Sequence, residues 1–240
     1  MQTSANPAPT DQAAGKLPAG VHLASWGELY LDQEAGTGGR YPITISASNG
    51  VGPPATQAFV VVVTQQPGFA LATARTSFRT GRRGTYRTQA TGYPDPTITE
   101  TGRLPAGLKL LGDKITGTPA ARSGGVYRVH LTAANSSGPS ASQTLTIVVK
   151  QAPRFVSPAM LTCKRGRRCH IAIRAGGFPV PRISEAGKLP RGLMFKAGKN
   201  GTATIAGTVS RRASPVVFHI KLTATSSAGR ALQRVTIRVT

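Results

Sequence analysis

Acidic and histidine side chains are the first candidates for acid–base chemistry in this 240-residue chain. Four histidines are scattered along it, at His22, His130, His170 and His219. The eight acidic residues form no pair that recurs at equivalent positions: Asp11, Glu28, Asp32, Glu34, Asp95, Glu100, Asp113 and Glu185. General acid–base catalysis needs such groups at one place, and the sequence has neither a nucleophile elbow nor a phosphate-binding glycine loop. The sequence therefore predicts a protein that is not an enzyme.

Two cysteines, Cys163 and Cys169, enclose a short basic segment. A zinc site would need two further soft ligands, and only His170 is adjacent. A catalytic thiol needs an ordered base, which the sequence does not provide. We therefore predict a disulfide that closes the first hairpin of its repeat, as is typical of an oxidising compartment. In the loop-entropy model such a short closed loop stabilises by roughly 2 kcal/mol.

Basic residues in and near that segment are candidate anion contacts: Lys164, Arg165, Arg167, Arg168, Arg211 and Arg212. We place them on loops, where they could bind teichoic acid, acidic glycans, anionic lipid or nucleic acid. The other interpretation is a solvated basic surface without a ligand. No aromatic residues interleave with these cations to stack on bases, and no recognition helix is evident. The sequence therefore predicts no specific nucleic-acid partner.

The net charge of +22 is unevenly distributed. Residues 1–66 hold two basic and four acidic side chains, residues 67–150 hold eleven and three, and residues 151–240 hold seventeen and one. The charge therefore climbs from −2 through +8 to +16 toward the C-terminus.

Internal repeats organise the chain. Leu-Pro-x-Gly occurs at 17–20, 104–107 and 189–192, and Gly-x-Pro-x-Pro occurs at 92–96 and 177–181. These anchors predict a partial first repeat (1–66), a full second repeat (67–150) and a full third repeat (151–240).

The first repeat lacks the equivalent of about two strands before the Pro-x-Pro at 7–9. We expect the missing strands to leave part of one sheet uncovered or an edge unpaired, and this repeat to be the most protease-sensitive. We interpret the chain as the C-terminal end of a longer array, cut or mis-started at Met1, with any signal peptide upstream.

Strict alternation of apolar and polar residues predicts half-buried strands. In the second repeat we expect strands near 76–79, 84–91, 97–100, 108–111, 114–118, 125–134 and 142–149. Seven short antiparallel strands in about 85 residues predict an all-β, two-sheet immunoglobulin-like sandwich. The residues expected to be buried are Tyr127, Leu131, Ile147, Phe218, Leu222 and Ile237. The sequence contains no apolar run of about 18 residues, so it predicts no transmembrane segment.

The motifs resemble the putative Ig domain (He-PIG, cadherin-like) repeats of bacterial secreted and cell-surface proteins. The resemblance is most complete in the second repeat, which has Gly92-x-Pro-x-Pro, Leu104-Pro-x-Gly-Leu, Thr116-Gly-Thr-Pro, Gly125-x-Tyr and Thr132-Ala-x-Asn. It implies tandem Ig-like sandwiches, extracellular display and no catalytic residues. The first repeat has lost Gly-Thr-Pro, and the third has Val209 for the proline and Phe218 for the tyrosine.

Two functions follow as expectations. The first is a spacer or adhesive array in the bacterial envelope or outside the cell, with another surface protein as a possible class of partner. The alternative is a module that binds a cell-wall polyanion or carbohydrate through the basic third repeat, appended to an enzyme outside this chain. Cadherin-like modules bind Ca²⁺ through carboxylates at domain junctions. The junctions at 64–67 and 150–153 contain none, so no metal or cofactor is expected.

Overall fold

The structure, a computed structural model, describes residues 5–32, 37–212 and 216–240. These residues form 21 β-strands and contain no helix, which confirms the all-β prediction. No helix in the described part of the chain is long and apolar enough to span a bilayer. Short strands are favoured here because Val, Thr and Ile suit the pleated backbone, whereas frequent Gly and Pro end each run in a turn.

The strands are numbered in chain order. The first six are β1 (Thr10–Ala14), β2 (Val21–Leu23), β3 (Leu29–Leu31), β4 (Gly39–Ser48), β5 (Ala55–Val63) and β6 (Gln65–Phe69). The next eight are β7 (Thr73–Arg79), β8 (Gly84–Arg87), β9 (Ala90–Tyr93), β10 (Thr97–Gly102), β11 (Leu108–Leu111), β12 (Lys114–Gly117), β13 (Gly125–Ala134) and β14 (Ala141–Phe155). The last seven are β15 (Met160–Cys163), β16 (Arg168–Phe178), β17 (Arg182–Gly187), β18 (Leu193–Ala197), β19 (Thr202–Thr208), β20 (Val217–Ser226) and β21 (Gly229–Val239).

By their internal contacts these strands form two compact units. Unit 1 comprises Met1–Thr73, Arg87–Thr101 and His130–Thr144, and unit 2 comprises Ala74–Tyr86, Gly102–Val129 and Leu145–Thr240. The second repeat contributes segments to both units. The division into three repeats therefore stays a prediction from the sequence motifs.

Unit 1 contains the sheet β1-β4-β5, the hairpin β2-β3 and the pair β6-β9. Strand β5 is an edge strand, antiparallel to β4 with Tyr41 opposite Val61. Phe59 and Val61, which point inward from β5, are only half-buried, whereas their counterparts Leu145 and Ile147 of β14 are fully buried. The described part of the first repeat therefore leaves this side of its core partly open.

Strands β15 to β21 of unit 2 form a seven-stranded sandwich, within the residues predicted to be the third repeat. One sheet has the order β16-β19-β18, joined through β16 to β14, and the other has the order β15-β21-β20-β17. Alternate side chains of both sheets meet in one core, whose fully buried members include Ile205, Leu222 and Ile237. The alternation of these strands reflects one dry and one wet face, as predicted.

Three details of strand bounds and burial differ from the sequence-based expectations. The strand expected at 84–91 is two strands, because Gln89 adopts a left-handed φ of 54°, and β8 pairs with β12 whereas β9 pairs with β6. Strand β14 does not end near 149 but continues to Phe155, across the predicted repeat boundary.

Burial is the third difference. Leu131, Ile147, Leu222 and Ile237 are buried as predicted, but Tyr127 and Phe218 are only half-buried. Both lie early in their strands, near the end of the sheet. The Tyr127 hydroxyl donates a hydrogen bond of 2.9 Å to the carbonyl oxygen of Ser123, which keeps the phenol at the rim.

Candidate functional site

The predicted disulfide is present in the structure. It joins Cys163 to Cys169, whose Cα atoms are 5.7 Å apart. The two strands it links are not hydrogen-bonded to each other: Cys163 of β15 lies opposite Val239 of β21, and Cys169 of β16 lies opposite Gly207 of β19. The expectation of a hairpin disulfide was therefore wrong in its topology, because the bond crosses between the two sheets of the sandwich.

Backbone hydrogen bonds hold the loop between the cysteines. Arg165 N–H donates to the Thr240 carbonyl at 2.9 Å, and Gly166 N–H donates to the Val209 carbonyl at 2.9 Å. The Val209 N–H returns a bond of 3.2 Å to the Arg167 carbonyl. The loop is thereby fastened to Thr240, the residue after β21, and to the turn that follows β19.

Six exposed cations surround this fastened loop, and we name them the basic tip: Lys164, Arg165, Arg167, Arg168, Arg211 and Arg212. A Cβ atom at Gly166 would lie 2.8 Å from Cγ of Arg211, so the turn carrying Arg211 and Arg212 is adjacent to the loop. Arg168 differs from the prediction because it is the first residue of strand β16, not a loop residue. The structure thus brings all six predicted anion contacts to one end of the sandwich that β15 to β21 form.

Three of the four histidines contact a side chain on a neighbouring strand. His130 Nδ1 lies 3.2 Å from Thr144 Oγ1, and His219 Nδ1 lies 3.3 Å from Thr236 Oγ1. His22 stacks on Tyr30 with ring centroids 5.1 Å apart. Within residues 5–32, 37–212 and 216–240, no group of three His, Cys, Asp or Glu side chains could hold a metal ion. Glu34 lies outside the described residues.

The repeated motif residues form side-chain hydrogen bonds that link strand ends to loops. Asn135 Nδ2 donates to the carbonyl oxygens of Gln65 at 2.9 Å and Pro94 at 2.7 Å, and Asn49 Nδ2 donates to the Pro7 carbonyl at 3.1 Å. The motif asparagine therefore ties the end of one strand to the Pro-x-Pro segment in both repeats.

Tyrosine and glutamine act in the same way. Tyr41 donates to the Thr37 carbonyl at 2.7 Å, as Tyr127 does to Ser123. Gly124 N–H donates to Oε1 of Gln151 at 3.1 Å, and Gly38 N–H donates to Oε1 of Gln65 at 3.2 Å. The asparagine and the tyrosine belong to the repeated sequence motifs, whereas these two glutamines lie outside them and had no predicted role. Each glutamine stands two residues before a junction proline, and this shared position was the sequence signal that could have identified them.

Comparison with known proteins agrees with this architecture. The model of the family described as "Putative Ig domain" matches residues 66–150. No curated protein matches the chain significantly.

Solved structures of Ig tandems resemble the chain in fold. An I-band fragment of titin is 16% identical, with a TM-score of 0.52, and the match covers 97% of this chain and 88% of that one. The N-terminal four Ig domains of a Dscam1 isoform are 13% identical, with a TM-score of 0.55, covering 92% of this chain and 60% of that one. At such identities the likeness shows the fold alone. The chain has an immunoglobulin-like fold, and its residues 66–150 match the model of the Putative Ig domain family.

Proposed function

We propose that this chain is a non-catalytic array of Ig-like repeats that acts as a spacer or interaction module of a secreted or cell-surface protein. The observation that carries the proposal is the use of the motif side chains. Asn135, Tyr127 and Gln151 each form a hydrogen bond that ties one loop or strand end to another. Residues that recur for structural reasons leave the outward strand faces and loops free to vary, as a display scaffold requires.

The disulfide supports a location outside the reducing cytosol. Bonds of this kind persist in secreted and envelope proteins and are rare where thiols are kept reduced. The family match and the disulfide together favour extracellular or envelope display, and we infer the bacterial envelope from the He-PIG-like motifs.

Variants of the motif residues test the spacer proposal. Asn135→Ala and Tyr127→Phe in the full chain should each lower the melting temperature without changing any interaction with isolated cell-wall material. The measurements are thermal denaturation followed by circular dichroism and release of soluble fragments from wall material. Release of soluble fragments by the parent chain itself would show catalysis and overturn the proposal.

A second candidate function is polyanion or carbohydrate binding through the basic tip. It is favoured by the fastening of the Cys163–Cys169 loop to Thr240 and Val209, which presents several cations on an ordered backbone. Preorganised contacts lose less entropy on binding than flexible ones. In this second candidate function, the module would anchor an enzyme that lies outside this chain.

Salt dependence tests this second candidate. Contacts between exposed charges are screened once the Debye length falls to about 8 Å, so binding of the full chain to wall fragments should weaken steeply with added salt. Binding that is equally strong at low and high salt, or absent at low salt, would contradict it.

A further inference from the structure

The outer face of sheet β15-β21-β20-β17 carries five exposed cations that the sequence analysis did not single out. We name them the basic face: Arg182 of β17, Lys221 of β20, and Arg230, Arg234 and Arg238 of β21. Each alternates with a buried or partly buried residue on its own strand, such as Leu222, Ile237 or Ala231. The pleat therefore points all five away from the core, on one side of one sheet.

Strand register sets the spacing of these charges. Arg230, Arg234 and Arg238 recur every fourth residue of β21, so they are about 14 Å apart and form a line of about 27 Å. Lys221 lies directly opposite Arg234 on the neighbouring strand, and Arg182 lies opposite Thr225, which itself lies opposite Arg230. Three of the five cations therefore lie along β21. Lys221 lies beside the middle one, and Arg182 lies two strands away from the first.

The second repeat shows that the fold does not require this charge. Aligning the buried residues of the two repeats places His130 at the position of Lys221 and Thr144 at the position of Arg234. In the second repeat these two form a hydrogen bond of 3.2 Å. The third repeat therefore has two like charges where the second has a hydrogen-bonded His–Thr pair, and opposed like charges are destabilising in a sheet.

Carboxylates of the third repeat do not neutralise the face. Glu185 is the only acidic residue between 151 and 240. It lies opposite Leu222, on the inward register of β17, and its Oε1 atom is buried. The cations of the basic face therefore have no acidic neighbour from this repeat on their own side of the sheet.

We propose that a linear phosphodiester polyanion binds along β21 across the basic face and continues onto the basic tip. Four of the five cations are arginines, whose planar guanidinium matches phosphate oxygens in a two-point hydrogen bond. Thr225 and Thr236 add hydroxyl groups between them on the same face. At its C-terminal end β21 leads to the tip, where Thr240 accepts the hydrogen bond from Arg165. This inference deepens, and rests on, the proposed polyanion binding.

The test compares two variants of the full chain that each lower the net charge by five. The face variant takes the residues of the second repeat, R182T, K221H, R230S, R234T and R238V, which a related sandwich already accommodates. The tip variant changes Lys164, Arg165, Arg167, Arg168 and Arg211 to serine. Binding of purified poly(glycerol phosphate) is measured by titration calorimetry at low salt, with thermal denaturation as the check of folding.

We expect the face variant to bind at least about 30-fold more weakly than the parent, since it loses five ionic contacts of modest strength each. The parent should bind longer polymers more tightly until they span the line of arginines, because linked contacts add through effective concentration. Glycerol 3-phosphate at the same phosphate concentration should bind far more weakly.

Distinct outcomes separate this inference from the function on which it rests. If the tip variant loses binding and the face variant binds like the parent, the inference that the polymer binds along the basic face is wrong. The proposed polyanion binding through the basic tip then still stands. A parent that binds no polymer at low salt overturns both. Parent binding to phosphatidylglycerol vesicles without binding to the polymer overturns the choice of a linear ligand. If the face variant fails to fold, the pair variant K221H with R234T replaces it and should weaken binding about threefold; unchanged binding there overturns the inference.

Discussion

The second and third repeats fill one position at the end of the sandwich in different ways. Cys163 and Cys169 of the third repeat correspond to Phe78 and Gly84 of the second. Phe78 is buried, and a Cβ atom at Gly84 would lie 2.7 Å from its ring. An aromatic ring lying over a glycine thus occupies the place where the third repeat has a covalent bond between sheets.

The outer faces of the same two repeats differ as well. The second repeat has His130 hydrogen-bonded to Thr144, whereas the third has Lys221 opposite Arg234. The inward residues of these strands are apolar in both repeats. The comparison teaches that the core and the motif glycines determine the fold, whereas the loop closure and the outer face are free to carry function.

The largest loss of stability should come from replacing a glycine that the second and third repeats share. Gly107 and Gly192 have φ values of 90° and 95°, and a Cβ atom would overlap the carbonyl oxygen of Thr118 or Thr208. Gly107→Ala and Gly192→Ala should each destabilise by about 4 kcal/mol, because strain and overlap with backbone add together. Urea denaturation measures this, with Gly112→Ala, whose Cβ would meet no atom within 4 Å, as the control for φ alone. A cost no larger than that of the control would contradict the overlap.

The next effect concerns the ring of the second repeat. Phe78→Ala should destabilise by about 3 kcal/mol, since it removes a buried aromatic and leaves a cavity above Gly84. Leu111→Ala is the control, because Leu111 is 61% exposed. Equal losses in the two variants, measured by urea denaturation, would show that Phe78 does not close the sandwich.

The disulfide of the third repeat should contribute less than the ring does. C163A with C169A should lower stability by roughly 2 kcal/mol, because it removes a short covalent loop and leaves a small change in packing. Dithiothreitol should lower the melting temperature of the parent to that of the double variant and leave the variant unaffected. A parent that is insensitive to complete reduction would refute the contribution.

The smallest effect has the opposite sign. Introducing the second-repeat pair into the third repeat, K221H with R234T, should stabilise by about 0.5 kcal/mol, because it removes opposed like charges. The gain should shrink in high salt, which screens the repulsion. Differential scanning calorimetry at two salt concentrations is the measurement, and a loss of stability at low salt would contradict the assignment of this pair as repulsive.

Local patterns were sufficient for most of the fold. Alternation at 125–134 predicted strand β13 at its observed bounds, because successive side chains of a strand point to opposite faces wherever one face is dry. Residues 84–91 were expected to form one strand, but the structure has two. The break is a single left-handed residue, Gln89, which the alternation of apolar and polar residues does not reveal. Tyr127 was expected to be buried, but alternation does not reveal how near a residue lies to the end of its sheet.

For the candidate site, too, the sequence predicted the residue types, and the strand pairing decided their arrangement. The sequence by itself determined the cysteine pair, the six cations of the basic tip and the concentration of charge in residues 151–240. Only the tertiary structure decided that the disulfide crosses between sheets, since β15 pairs with β21 and β16 with β19, partners far away in sequence. It also decided that Lys221 lies opposite Arg234. Register between strands depends on packing of the whole core, because a slip of one residue would turn every buried side chain outward.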